Sequence, residues 1–446
     1  MSFLYSKLDY RDLVVGVDSL VELANGKKIK GINFDNAATT PPFKAVMEEI
    51  SRFAPYYASI HRGAGYKARI SSTRYEEARN IVKSFVGADK EKDIVIFVKN
   101  ATEAINKVAN RLAQKSEASS EQEKDVILST TMEHHSNDLP WRNKYLVDYI
   151  AVDECGRLVW KDFHAKLEKY KGRVKLVTVT GASNVTGYVN PVHRLAELAH
   201  KYGAKILVDG SQLIPHMPFE MKAYSSGKHI DFLVFSAHKM YAPFGVGVLI
   251  GPKDFFNEGE PDYPGGGTVR AVTHEQVIWN DPPAKEEAGT PNLMGVVALA
   301  SAIRTLRDIG MKNVYRHEQA LTKQLCNGLK KISCIEAYCI DDEQERVGIV
   351  SFNMKGIYHE KLAAMLAGEA GIAVRSGCFC AHPYVITLLG ITPDQQQKII
   401  NNPLAAKPGM VRVSFGIYNN HEEVEKLLEI LQEIAKDRKK YLNKYS

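Results

Sequence analysis

Through most of the first 300 residues, short apolar runs alternate with stretches whose apolar positions recur at helical spacing. DIVIFV (93–98) precedes TEAINKVANRLAQ, and DVILST (125–130), VKLVTVT (174–180), AKILVDG (204–210), DFLVFS (231–236) and GVGVLIG (245–251) continue the series. Continuous runs rich in β-branched residues, most of them separated by helical stretches, predict a mainly parallel sheet covered on both faces. The expected architecture is α/β, with a doubly wound sheet in a large domain. From about residue 296 the pattern changes. A long helical stretch (Val296–Arg307, then Leu321–Leu329) leads into IEAYCI, VGIVSFNMK (347–355), the helix EKLAAMLAGEAG, and finally VRVSFGIY (411–418) with an amphipathic helix behind it. This predicts a smaller α+β C-terminal domain. The expected division is an N-terminal arm at 1–28, a large domain at 29–295 and a small domain at 296–446, with DPPAKEEAGTPN (281–292) as a loop near the boundary.

Composition narrows the function classes. A chain of 446 residues with 45% hydrophobic residues supports a large core. Lys and Arg total 58 against 52 acidic residues, a net charge of +6, and the densest basic cluster is RKK at 438–440. Nucleic-acid binding therefore has little support. The mostly apolar stretch near Met294–Ile303 is far short of the roughly 20 residues that span a bilayer, so no membrane association is expected. Six cysteines and an N-terminus without a signal-peptide pattern point to a cytoplasmic protein.

In a doubly wound sheet, ligands bind beyond the carboxyl ends of the strands. SAHKM (236–240) puts Lys239 there, flanked by Ser236 and His238. A desolvated amine with cationic neighbours is a nucleophile near neutral pH. AKILVDG puts Asp209 at the end of the preceding strand, 30 residues earlier, where a buried carboxylate suits a pyridinium nitrogen; a helix N-cap is the plainer alternative. Gln212 follows, in reach of a phenolic oxygen. Asn100-Ala101-Thr102-Glu103 opens a helix after DIVIFVK, which suits a phosphate or ordinary capping. MEHHSN (132–137) brings two histidines to another strand end.

FDNAATT (34–40), HRGAGY (61–66), NATEAIN (100–106), MEHHSN, SNVTGYVNP (183–191), ILVDGSQ (206–212), FSAHKMYAPFGVGVL (235–249), EAGTPN (287–292), VRSGCFCAHP (374–383) and VRVSFGIYNNHEEV (411–424) occur in this order. The set resembles cysteine desulfurases and selenocysteine lyases, of the class V aminotransferase group of fold-type I pyridoxal-phosphate enzymes. The resemblance implies pyridoxal 5'-phosphate held covalently by Lys239, which also shuttles protons. It implies Asp209 on the pyridine nitrogen, Gln212 on the phenolic oxygen, His134 stacked on the ring and Asn184 beside ring or substrate. Thr102, Ser236 and His238 would bind the phosphate, joined by Gly289 and Thr290 of a partner subunit, which implies a homodimer with shared active sites. Arg412 would grip the carboxylate of a small amino-acid substrate, with His61 and Arg375 lining the pocket. Cys380 occupies the sulfur-accepting position, from which sulfur would pass to an acceptor protein. No metal is expected.

Three features depart from the resemblance. Cys378 adds a second thiol in Cys-Phe-Cys; RSGCFC is also similar to molybdenum-cofactor sulfurases, whose additional domain is not expected here. A 32-residue interval separates Cys380 from Arg412, and within it Gln395–Lys407 reads as a mobile, exposed insertion. The leading expectation is conversion of L-cysteine to L-alanine with a persulfide on Cys380. Alternatives are another class V reaction (a selenocysteine or cysteine-derivative C–S lyase, an aminotransferase or an epimerase), or a zinc site built from Cys334, Cys339, Cys378 and Cys380.

Overall fold

A computed structural model describes residues 9–117, 124–340, 345–402 and 405–445. Its centre is a seven-stranded sheet of β1 (Asp93–Val98), β2 (Val126–Thr130), β3 (Leu146–Ile150), β4 (Val174–Thr180), β5 (Lys205–Asp209), β6 (Phe232–Ser236) and β7 (Gly247–Pro252), in spatial order β1-β7-β6-β5-β4-β2-β3. The pairs among β2 to β6 are parallel, while β7 runs antiparallel to both β1 and β6. The sheet is mainly parallel, as the apolar runs predict, and GVGVLIG supplies its reversed strand.

Period-two alternation divides the strand residues between two cores. Val95, Phe97, Val208, Leu233 and Phe235 face one core, which also takes in side chains of helices Tyr66–Val86, Val192–Lys201 and Leu293–Ile309. Ile94, Ile96, Val98, Leu207, Phe232 and Val234 face the other, under helix Ala101–Glu117. That helix docks through Ala101, Ala104, Ile105, Val108 and Leu112, which follow the i, i+3, i+4, i+7 pattern of one helical stripe.

The second sheet is antiparallel: β8 (Ile335–Ala337), β9 (Ile349–Met354), β10 (Arg375–Gly377) and β11 (Met410–Ser414), in order β8-β9-β11-β10. Helices Met311–Leu329, His359–Ala370 and His421–Lys436 pack on it through Leu321, Leu325, Leu362, Leu366, Leu427 and Leu431. Ile32 and Phe34 belong to this core, since Ile32–Asn33 pairs with Ile372–Ala373, and Leu293–Ile309 belongs to the large sheet's core. Continuity of packing therefore cuts the chain differently from the expected divisions at 28/29 and 295/296. The expected loop at 281–292 is firmly anchored. Lys285 and Glu286 are buried, Lys285 donating to the Asn257, Glu258 and Gly259 carbonyls and Glu286 pairing with Lys107 and Arg111.

The interval after Cys380 differs from its reading as loop. Pro393–Asn401 is a helix with a capping box from Thr392 and Gln395 and no buried side chain. Its exposure agrees with the expectation; its backbone does not, because the cap outweighs the polar composition. Pro403 and Leu404 of this interval lie outside the described residues. Among the described residues, no helix is long and apolar enough to cross a membrane.

Candidate active site

Successive parallel strands end at one level, and each delivers a polar residue there. Thr180 and Asp209 are the last residues of β4 and β5, Ser236 ends β6, and Lys239 follows within one turn of 3-10 helix. Asn100 and Thr102 come from the β1 end, His134 and Ser136 from the β2 end. Together with Asn184, Gln212, His238, Arg375, Phe379, Cys380 and Arg412 they line one cavity of about 460 Å³. The β1 loop can sit this close only because β7 begins with glycine: a Cβ on Gly247 would lie 2.5 Å from the Asn100 backbone.

Lys239 is enclosed by protein, with its amine opening on the cavity. Burial pulls its pKa down to about 8, with Arg412 adding to the fall and Asp209 opposing it. Burial, reinforced by Lys239, also holds His134 and His238 near 4, so both rings are neutral at physiological pH. His134 is oriented by Ser136, whose hydroxyl lies 2.9 Å from its Nδ1 and 2.7 Å from Thr102 Oγ1. Behind it, buried Glu133 accepts from the Thr130 hydroxyl, Asn137 Nδ2 and the Thr180 N–H, and burial pushes its pKa up to about 8. Ser236 Oγ accepts from the Ala101 N–H at 2.9 Å, tying the helix start to the β6 end. Gln212 Nε2 donates to the Ala37 carbonyl at 2.8 Å, while its buried Oε1 has no partner.

At the opposite wall Arg412 is buried. It donates to the Asn184 carbonyl at 2.9 Å and to Asp35 Oδ1 at 3.2 Å, and its Nε has no partner. Arg375 takes the other oxygen of Asp35 at 3.1 Å. Two guanidiniums thus share one carboxylate, leaving a surplus positive charge beside the cavity. Burial lowers the Arg412 pKa to about 10, with Asp35 opposing. The Phe379 ring lies 4.8 Å from the Arg412 guanidinium carbon.

The segment carrying the thiols turns sharply. Phe379 and Cys380 both have positive φ, 52° and 55°, a conformation that costs non-glycine residues about 1–3 kcal/mol each. It is held by Asn184 Nδ2 donating to the Phe379 carbonyl at 2.7 Å and the His135 N–H donating to the Cys380 carbonyl at 2.7 Å. The turn separates the two thiols. Cys380 is exposed and lines the cavity, whereas Cys378 is buried, donates from Sγ to the Pro408 carbonyl and has its pKa raised to about 11 by burial. The four C-terminal thiols form no cluster: among the described residues the one group of three or more metal-type donors is His200, His229 and Asp231. The zinc alternative has no geometry behind it.

A family model described as aminotransferase class V matches residues 32–427. The chain belongs to the class V aminotransferase family. Similar members include a cysteine desulfurase of Haloferax volcanii, 36% identical over 90% of this chain and 88% of its own length. A probable cysteine desulfurase of Mycobacterium leprae is 36% identical over 93% of this chain, which spans 64% of that longer relative. Similar solved structures include the apo cysteine desulfurase of Thermococcus onnurineus (TM-score 0.79, 34% identity, 91% of this chain and 95% of that one). An Escherichia coli cysteine desulfurase carrying an S-sulfonic acid superposes with a TM-score of 0.76 at 28% identity, over 90% and 94% of the two chains.

Three residues named from the sequence stand apart from the cavity lining of this class V chain. His61 is exposed and bonds to Glu76 at 2.9 Å, while Gly289 and Thr290 lie on an exposed loop. Sequence reasoning missed Asp35, Glu133 and Ser136, although all three stand inside quoted motifs: FDNAATT holds Asp35, and MEHHSN holds the other two.

Proposed function

We propose that this chain is a homodimeric, cytoplasmic cysteine desulfurase that uses pyridoxal 5'-phosphate to convert L-cysteine to L-alanine and collects the sulfur on Cys380 for an acceptor protein. The observation that carries the reading is the convergence of the Lys239 amine, a surplus-positive Arg412/Arg375 wall and the Cys380 thiol on a single cavity. Class V membership and relatives named as cysteine desulfurases support it.

The donor set fits the cofactor. Lys239 would hold its aldehyde carbon, Asp209 its pyridine nitrogen, and neutral His134 the ring face without repelling a pyridinium. Gln212 Nε2 donates one hydrogen to the Ala37 carbonyl, and its second N–H would go to the phenolic oxygen. The helix start at Thr102, with Ser236 and His238, forms the anion cradle. When bound, the cofactor supplies an electron sink for carbanion chemistry at the substrate's carbons. The protein supplies the rest. Arg412, braced by Asp35 and the Asn184 carbonyl, takes the substrate carboxylate, with Arg375 and Asn184 beside it. The lowered pKa of Lys239 lets its amine accept and return a proton near neutral pH. The Cys380 thiolate attacks the substrate's sulfur: the Cβ–S bond breaks, an S–S bond forms, and the thiol proton is returned to the alanine product.

His61, which the family resemblance puts at the pocket, would reach it only from outside the lining of the single chain. Gly289 and Thr290 are assigned to the partner's phosphate cradle, which their exposure on an anchored loop supports. The test is a product assay over L-cysteine, L-selenocysteine and S-substituted cysteines. Alanine from free cysteine in the wild type, and none from Cys380→Ser, is the expected result. Equal turnover by Cys380→Ser would return the chain to the C–S lyase alternative.

A further inference from the structure

The geometry points to a zinc-class divalent-metal site formed by His200, His229 and Asp231, at the end of the large sheet opposite the active site. Asp231 immediately precedes β6, His229 lies in the loop before it, and His200 is in the last turn of helix Val192–Lys201. One ligand atom from each can be chosen so that all lie within 4.8 Å of one another. His200 Nε2 is 2.8 Å from Asp231 Oδ2, and His229 Nε2 is 3.5 Å from Asp231 Oδ1. Ligands at zinc–N and zinc–O distances of 2.0–2.2 Å in a tetrahedron stand roughly 3.4 Å apart, so His200 Nε2 would draw back from Asp231 Oδ2 by roughly half an ångström on taking a metal. The side chains are largely shielded, 18% exposed for His200, 14% for His229 and 5% for Asp231. Two imidazoles, a carboxylate and one water would complete the coordination zinc prefers.

Hydrogen bonding around the cluster favours a cation at its centre. His200 Nδ1 donates to the Gly227 carbonyl at 2.8 Å, which turns the Nε2 lone pair of the neutral ring onto the Asp231 carboxylate. Lone pair against carboxylate at that distance is repulsive until a proton or a metal ion stands between them. The Gly227 carbonyl is also the kind of outer partner that fixes a metal-binding histidine. Asp231 is braced by the Ile206 N–H at 2.9 Å. On His229, buried Nδ1 has no partner, and the ring stacks on His200 with centroids 4.3 Å apart, so a charge on both rings at once is disfavoured. Lys205 Nζ, 3.5 Å from Asp231 Oδ1, is the competing cation within the protein; its side chain is 46% exposed and free to swing toward solvent when a metal arrives. A metal here would clamp helix, loop and strand together without touching catalysis.

The test is equilibrium dialysis of the cofactor-loaded protein against zinc at mildly alkaline pH, after chelator treatment, comparing wild type with His229→Gln and His200→Gln. Zinc taken up by the cysteines is common to all three proteins and cancels in the difference. Wild type should retain one more zinc ion per chain than either variant, and zinc should raise its thermal midpoint more than theirs. Retention equal in all three, with equal thermal shifts, would overturn the site and leave the cluster as a proton-held ion pair. The visible spectrum of the bound cofactor checks that each variant is folded, and having two variants guards against the loss of one.

Discussion

Cys378 and Cys380 are two residues apart, and sequence spacing alone cannot choose between them. The structure separates them by environment. Burial raises the Cys378 pKa from an ordinary 9.0 to about 11, and its Sγ is occupied with the Pro408 carbonyl. A two-unit rise leaves about a hundredfold less thiolate near neutral pH than an ordinary thiol has. The thiolate is the reacting form, but a thiolate of higher pKa is intrinsically more nucleophilic (Brønsted slope about 0.4–0.5), so alkylation of Cys378 should be slowed about tenfold net, and further by its enclosure. The assay is a time course of iodoacetamide labelling at neutral pH, with each site followed by mass spectrometry. Cys380, exposed and lining the cavity, should label first, with loss of desulfuration in step; Cys378 should lag by about tenfold or more. The same logic holds in the variants. Cys378→Ser keeps the first turnover and carries the persulfide on Cys380, whereas Cys380→Ser loses alanine formation from cysteine yet keeps the cofactor's absorbance. Labelling of the two thiols at similar rates, or sulfur found on Cys378 after a single turnover, would refute the argument.

Three other outcomes follow from the same cavity. With the Lys239 pKa lowered to about 8, the reactive neutral amine grows as pH climbs through 8 and levels off above it, so capture of pyridoxal phosphate by cofactor-free protein should follow that curve; an inflection near 10.5 would count against it. Arg412→Gln removes a charge-assisted grip of about 1.5–3 kcal/mol, so kcat/KM for cysteine should fall about tenfold to a hundredfold, mainly through KM; an unchanged KM would move the carboxylate elsewhere. Mixing Lys239→Ala chains with Thr290→Ala chains should restore about a quarter of wild-type activity by random pairing in a two-fold dimer, and no recovery despite subunit exchange would deny the shared site.

What was legible in the sequence is what local chemistry decides. Several apolar runs of the main sheet are followed by polar residues that the topology brings to one level, so Asp209, Ser236, Lys239 and Thr102 could be read from their offsets after strands. The fold class followed from the same alternation. Domain limits were less legible, because Leu293–Ile309 is apolar on nearly every face and carries no sign of which sheet it covers. The helix at Pro393–Asn401 was hidden by its composition: it buries nothing, so it has no apolar stripe, and only its Thr392–Gln395 capping box marked where it starts.

Asp35 shows most clearly where reading by offset ends. It lies in a quoted motif, yet its task is set by two arginines 340 and 377 residues further along the chain, on strands β10 and β11 that pair with each other. Pairing places Arg375 directly opposite Arg412, so two positive side chains from adjacent strands need a common anion. Asp35 reaches them because its own segment bridges in parallel to Ser414, two residues beyond Arg412. One carboxylate against two guanidiniums orients both and neutralises only one. The charge left over is what a substrate carboxylate would complete, and it arises from strand register rather than from any single motif.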